Sequence, residues 1–146
     1  MNDFIIEEAC WDTHKSDLLE VRIEVFVEEQ GVPLEEEEDA LDPGSVHILV
    51  FNSKKEAVAT GRLTPKGWIG RMAVKKEFRG LGLGFEVLKR LTENGFKKGY
   101  AKLWLSAQTH AIPFYEKLGY QIHGEMYDDC SIPHQDMFLN NPQSRV

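Results

Sequence analysis

The chain has 146 residues, 42% of them hydrophobic, enough for one domain with a single core and no need of metals or disulfides. A net charge of −7, from 24 acidic and 17 basic residues, argues against a nucleic-acid surface and is compatible with a cationic small substrate. No apolar run approaches the roughly eighteen residues needed to span a bilayer. Cys10 and Cys130 show no paired metal-ligand spacing, and the amino terminus Met1-Asn2-Asp3-Phe4 lacks a basic, apolar leader, so a reduced, cytoplasmic protein without a membrane partner or a metal is expected.

Phe4 to Glu8 reads as a short strand and Ser16 to Glu29 as a helix, with Leu18, Val21 and Val25 at helical intervals. Gly31 and Pro33 end it. The run Glu35-Glu36-Glu37-Glu38-Asp39, followed by Asp42-Pro43-Gly44, has loop chemistry, either a solvated segment or a gate that attracts cations. Three strands, Val46 to Asn52, Ala57 to Thr64 and Trp68 to Val74, have short connections that favour antiparallel neighbours.

Directly after them stands Arg79-Gly80-Leu81-Gly82-Leu83-Gly84, leading into a helix to Lys98 that Gly99 caps. Glycines let the backbone approach a bulky anion, and the first helical turn offers unpaired N–H groups and a partial positive charge, so the expected guest is a pyrophosphate. The dinucleotide pattern G-x-G-x-x-G fails, because Phe85 stands where its last glycine belongs and no acidic residue follows about twenty positions on. A P-loop fails too, since the segment ends in Gly84-Phe85-Glu86 in place of Gly-Lys-Ser/Thr. A strand at Lys102 to Ser106, a helix at His110 to Leu118, strands at Tyr120 to Met126 and Gln135 to Leu139, and a loose tail from Asn140 to Val146 complete an α/β pattern.

Arg79, Gly82 and Gly84 make R-x-x-G-x-G after the strand end Met72-Ala73-Val74, and Ala111-Ile112-Pro113-Phe114-Tyr115-Glu116-Lys117-Leu118-Gly119-Tyr120 follows the pattern A-x-x-F-Y-x-x-x-G-F/Y. In this order the two segments resemble the acetyl-CoA loop and the tyrosine helix of the GNAT superfamily of N-acetyltransferases. Val25-Phe26-Val27-Glu28-Glu29-Gln30 and Ile132-Pro133-His134 extend the likeness, to a small bacterial subgroup, over nearly the whole chain. The resemblance implies one GNAT domain over residues 1–146, an α/β (α+β) fold whose mixed, mostly antiparallel central sheet is splayed at the cofactor site with helices on both faces.

It also implies acetyl-CoA as co-substrate, with backbone groups of Met72, Ala73 and Val74 pairing the pantetheine arm and amides of Arg79, Gly80, Leu81, Gly82, Leu83 and Gly84 meeting the pyrophosphate. Arg79 is either a further cation for that group or a solvated loop residue. By analogy, the Tyr115 hydroxyl would protonate the departing thiolate of coenzyme A. Many relatives have an asparagine near the entry to this helix; here the chain reads Gln108-Thr109-His110, and Gln108 or His110 would take its place.

The second proton is harder to assign. An alkyl ammonium of pKa near 10.4 is neutral in only about one part in two thousand at pH 7, a penalty of roughly 4 to 5 kcal/mol that desolvation or a base must offset. Trp68-Ile69-Gly70-Arg71-Met72 has none of the glutamate that some GNAT enzymes use on this strand, which leaves His134 and His110 as candidates, then His47 and Glu77, or a chain of waters. The leading expectation is direct acetyl transfer to a small-molecule amine or a protein amino group. Two readings compete with it: a non-catalytic acyl-CoA sensor or subunit, and a metal hydrolase on His134-Gln135-Asp136 with His47 or His110. The acceptor's identity and a homodimer stay open.

Overall fold

The computed structural model describes residues 3–129 and 131–143. Cys130 and Ser144 to Val146 lie outside the described residues, so the expectation for Cys130 and most of that for the tail fall outside them as well. Strands β1 (Ile5–Ala9), β2 (Val46–Phe51), β3 (Ala57–Leu63), β4 (Trp68–Val74), β5 (Lys102–Gln108), β6 (Gln121–Asp129) and β7 (Ile132–Asn140) form a seven-stranded sheet in the order β1-β2-β3-β4-β5-β7-β6. Only β4 and β5 run parallel. The helix between them, α2 (Leu83–Lys97), is the crossover that a parallel pair requires.

The alternation of side chains along β2 separates the two faces. Ile48 and Val50 join the core that includes Val87, Leu88 and Leu91 of α2, whereas Leu49 packs with Leu18 and Val21 of α1 (Trp11–Arg22). Helices therefore cover both faces. Gly61 permits the close approach of α2, since a Cβ there would lie 2.6 Å from Val87 and 2.8 Å from Leu91.

The first helix starts five residues before the expected Ser16, with Cys10 at its N-cap supplying no side-chain hydrogen bond. Trp11 stacks on His47 with ring centroids 5.5 Å apart, and the Arg22 guanidinium lies 5.4 Å from the Trp11 ring, so tertiary packing sets this start. From Ile23 to Glu29 the backbone continues as a π-helix, with the Gln30 N–H donating to the Val25 carbonyl at 3.1 Å. Such segments are uncommon and concentrate near functional sites.

In the acidic segment Glu35, Glu36 and Glu38 are exposed, as in a solvated segment, whereas Glu37 and the following Asp42 are buried. Arg22 and Asp42 are fully buried and Glu37 is 1% exposed; the Arg22 Nε donates to Glu37, and its Nη1 and Nη2 donate to Asp42 at 2.9 and 3.1 Å. Arg62 Nη1 donates to both Asp39 and Asp42, and Arg71 Nη2 donates to Asp39 at 3.1 Å. The cluster thus sets three guanidinium groups against three carboxylates. Burial opposes ionisation of Asp42, yet the hydrogen bonds from Arg22 and from the Asp39 amide hold its pKa down at about 2. His47 donates from Nε2 to the Asp42 carbonyl at 2.9 Å, and burial lowers its pKa, so it stays neutral and structural.

At the other end of the chain, Asn141 is tied down. Its amide donates to the Ala101 carbonyl at 2.9 Å and its side chain to the Tyr100 carbonyl at 3.0 Å.

Candidate active site

β4 and β5 pair only at Trp68↔Trp104 and Ile69↔Leu105, and then separate. A bulge directs this: Thr60 pairs with Ala73 and Arg62 with Gly70, so Arg71 and Met72 together oppose Gly61. Arg71 takes φ +49°, a left-handed conformation unusual for a residue with a side chain. Beyond the bulge, the β5-facing edge of β4 has no strand partner, and a cleft of about 1150 Å³ opens there.

The cleft runs past Met72, Ala73 and Val74 to the glycine segment and the start of α2. Gly80 and Gly82 both have φ +82°, and no heavy atom lies within 4 Å of where a Cβ would stand on either. That space suits a bulky guest. Gly82 is the N-cap of α2 and makes no side-chain cap, so the N–H groups of Leu83, Gly84 and Phe85 face this opening before the Glu86 N–H closes the first turn on the Gly82 carbonyl at 3.1 Å. Gly84 is a packing glycine, whose Cβ would touch Phe114 and Val74 at 3.6 Å. Leu81 is exposed and Leu83 buried in the core. The residues present therefore fit an acyl-CoA: an unpaired strand edge for an amide-bearing arm, and open backbone at a helix start for phosphates.

Arg79 is already engaged. Its Nη1 and Nη2 donate to the two oxygens of Glu29 at 2.7 Å each, and its Nε donates to the Val74 carbonyl at 2.9 Å. The pair holds the Glu29 carboxyl below its ordinary pKa. Arg79 thus straps the end of the π-helix to the end of β4, and the Val74 carbonyl has a partner before any cofactor arrives.

A second cavity of about 440 Å³ lies alongside, with Arg62, Trp68, Arg71, Asp129 and His134 in its wall. Gln30, Met72, Gln108, Ala111 and Tyr115 border both cavities. Tyr115, from α3 (Ile112–Glu116), stands at this junction, and its hydroxyl has no hydrogen-bond partner among the described residues. Burial pushes its pKa up to about 12. Gln108 and His134 are opposite each other in the β5/β7 register and so share a sheet face. His134 Nδ1 lies 2.8 Å from the Ile132 carbonyl, which can only accept. Nδ1 therefore carries the proton in the neutral ring, and Nε2 keeps its lone pair.

The exposed His110, on the turn Thr109–Ala111, borders the larger cleft only. His47 and Glu77 line neither cavity. The family model described as "Acetyltransferase (GNAT) domain" matches residues 14–140. The chain belongs to the GNAT acetyltransferase family. Its relatives include the uncharacterized N-acetyltransferase YjcF of Bacillus subtilis, 42% identical over 83% of this chain and 89% of that protein. Protein ElaA of Escherichia coli is 31% identical over 82% of this chain and 83% of its own. The ElaA crystal structure superposes with a TM-score of 0.84 at 26% identity, covering 93% of this chain and 99% of that one. An acyl-CoA N-acyltransferase from Pseudomonas aeruginosa gives 0.81 at 28% identity, covering 94% and 99%.

As a GNAT protein, the chain is an acyltransferase whose family uses acyl-CoA. Among the described residues, no three His, Cys, Asp or Glu side chains gather as a metal site requires, and no helix is long and apolar enough to cross a membrane. Sequence reasoning missed the wall formed by Phe26 of the π-helix and Gln30 just after it, the strap between Glu29 and Arg79, and the two arginines of the smaller cavity. The arginines had a signal: Arg62 is charged within a strand of small and apolar residues, which asks for an internal acidic partner.

Proposed function

We propose that this protein, as one GNAT domain over residues 1–146, is an acetyl-CoA-dependent N-acetyltransferase that passes the acetyl group directly to a primary amine in a ternary complex. The shared wall supports this reading above all: a cleft fit for acyl-CoA meets a second cavity at Tyr115, Gln108 and Met72. Bound acetyl-CoA would supply the activated thioester; the residues of the chain position it and move protons. Met72 and Ala73 offer strand-edge backbone to the pantetheine arm, and the amides of Leu83, Gly84 and Phe85 receive the pyrophosphate.

Tyr115, with its pKa at about 12, stays protonated at any working pH and donates a hydrogen bond to the departing thiolate. His134 is the base of choice over His110, because it borders the acceptor cavity and its Nδ1 is committed to the Ile132 carbonyl, which leaves Nε2 as the proton acceptor. Cys10 is exposed and borders neither cavity, so its thiol takes no part in the transfer proposed here.

Calorimetric titration with acetyl-CoA tests the cofactor, and Tyr115→Phe tests the chemistry. The variant is expected to keep its acetyl-CoA affinity and lose roughly a hundredfold in turnover. Unchanged turnover removes Tyr115 from the mechanism. The wild-type pH profile should show no basic limb from Tyr115 below about pH 11, since that hydroxyl titrates at about 12.

A further inference from the structure

Arg62 and Arg71 reach the smaller cavity from adjacent strands, and each is held from behind by the acidic segment. Arg62 uses Nη1 for Asp39 and Asp42, and Arg71 uses Nη2 for Asp39 and the Glu36 carbonyl. The Nε of each is enclosed without a partner among the described residues. The remaining nitrogens, Arg62 Nη2 and Arg71 Nη1, also have no acceptor among the described residues, yet they are not enclosed. Both side chains line the cavity, and these are the nitrogens they have left for a guest.

The arrangement is built. The Arg62 side chain is only 9% exposed, and Arg71 sits on the bulge at φ +49°. A left-handed residue of this kind is strained and persists where the surroundings over-determine it. Without the bulge, Arg71 would fall into the ordinary alternation of β4 and its side chain would be aimed elsewhere.

We propose that these two guanidinium groups bind a carboxylate of the acceptor, so that the acceptor is an amino acid or a similarly compact amino-carboxylate. This rests on the transferase reading above. The charge balance disfavours a dianionic phosphate relative to a single carboxylate, because the three guanidinium groups of the cluster already face three carboxylates and no net positive charge is left. Unused donors on side chains that line a cavity, more than excess charge, are what the site offers. Asp129 and His134 in the same wall suit the other end of a zwitterion, the first by attracting the ammonium and the second by taking its proton. Arg62, Arg71 and Tyr115 line one cavity of about 440 Å³, and Tyr115 also borders the acyl-CoA cleft, so an acceptor held there by its carboxylate would have to be compact.

Release of the coenzyme A thiol from acetyl-CoA would be followed with matched acceptors: free L-phenylalanine, L-leucine and L-methionine, and the carboxamide of each. The amine of an amino-acid amide is less basic than that of the acid, so amine chemistry alone favours the amide. Recognition of the carboxylate is expected to reverse this, with kcat/KM about tenfold or more higher for the acids, as for a charged hydrogen bond. In Arg71→Gln the preference should fall to within about threefold, through KM, with the acetyl-CoA Kd unchanged by calorimetry; Arg71→Lys should restore part of it.

The proposal is overturned if the amides match or exceed the acids, if Arg71→Gln retains the preference, or if neither series accelerates thiol release while acetyl-CoA binds. In each of those cases the cofactor reading survives. Folded protein that does not bind acetyl-CoA overturns both.

Discussion

The glycine connection at Arg79 to Gly82 and the acidic connection at Leu34 to Ser45 both join longer elements, and they hold their shape by opposite means. The first is defined by what it leaves open: no atom stands within 4 Å of a Cβ placed on Gly80 or Gly82. The second is defined by what it encloses, with Asp42 fully buried between Arg22 and Arg62. A loop that receives a ligand can be damaged by adding one carbon, whereas a loop that braces a core is damaged by removing one charge.

The largest effect should come from Asp42→Ala. Breaking a buried ion pair leaves Arg22 without its main partner, and the expected loss is about 3 to 5 kcal/mol of unfolding free energy in urea. Retention of wild-type stability would mean that the cluster braces nothing.

Acid should act on the same segment in two stages. His47 has a folded pKa below its ordinary 6.5, so its contribution is complete above pH 6.5 and fades as pH falls through the lowered value. Asp42 drops from 3.8 to about 2 on folding, so roughly 2 kcal/mol is present above about pH 4 and is lost as pH falls toward 2. Thermal melts across this range should decline gently below pH 6.5 and steeply below pH 4, and a flat curve down to pH 3 would contradict the assignment.

Gly82→Ala should be the mildest for the fold. The φ of +82° makes any side chain strained by about 1 to 2 kcal/mol, but the Cβ meets no neighbour. Its effect should fall on acetyl-CoA affinity, weakened roughly tenfold by calorimetry. An unaltered Kd would remove the glycine segment from the phosphate site.

The same contrast explains what could be read in the sequence. The glycine segment would act through its own backbone, so the role proposed for it could be argued within six residues, and β4 was legible too, its bounds at Trp68 and Val74 agreeing with expectation. The acidic segment acts through Arg22, Arg62 and Arg71, which lie on three other elements, and no local pattern joins them. Arg79 is a similar case: its partner Glu29 is 50 residues away. The start of α1 was missed because Cys10 is a poor cap and the apolar spacing lapses for two turns between Trp11 and Leu18, where His14 and Lys15 stand. The π-helix was invisible because Leu18, Val21 and Val25 keep α-helical spacing while the hydrogen bonds beyond them shift.

That π-helix is held at both ends, Arg22 in the buried charge cluster and Glu29 on Arg79. A segment anchored in this way is a gauge of length. Deleting a single residue between Ile23 and Glu28 would rotate the downstream turn by about 100° on a helix, and neither anchor could slide to absorb it. The stretch should therefore accept many changes of residue type and no change of residue number.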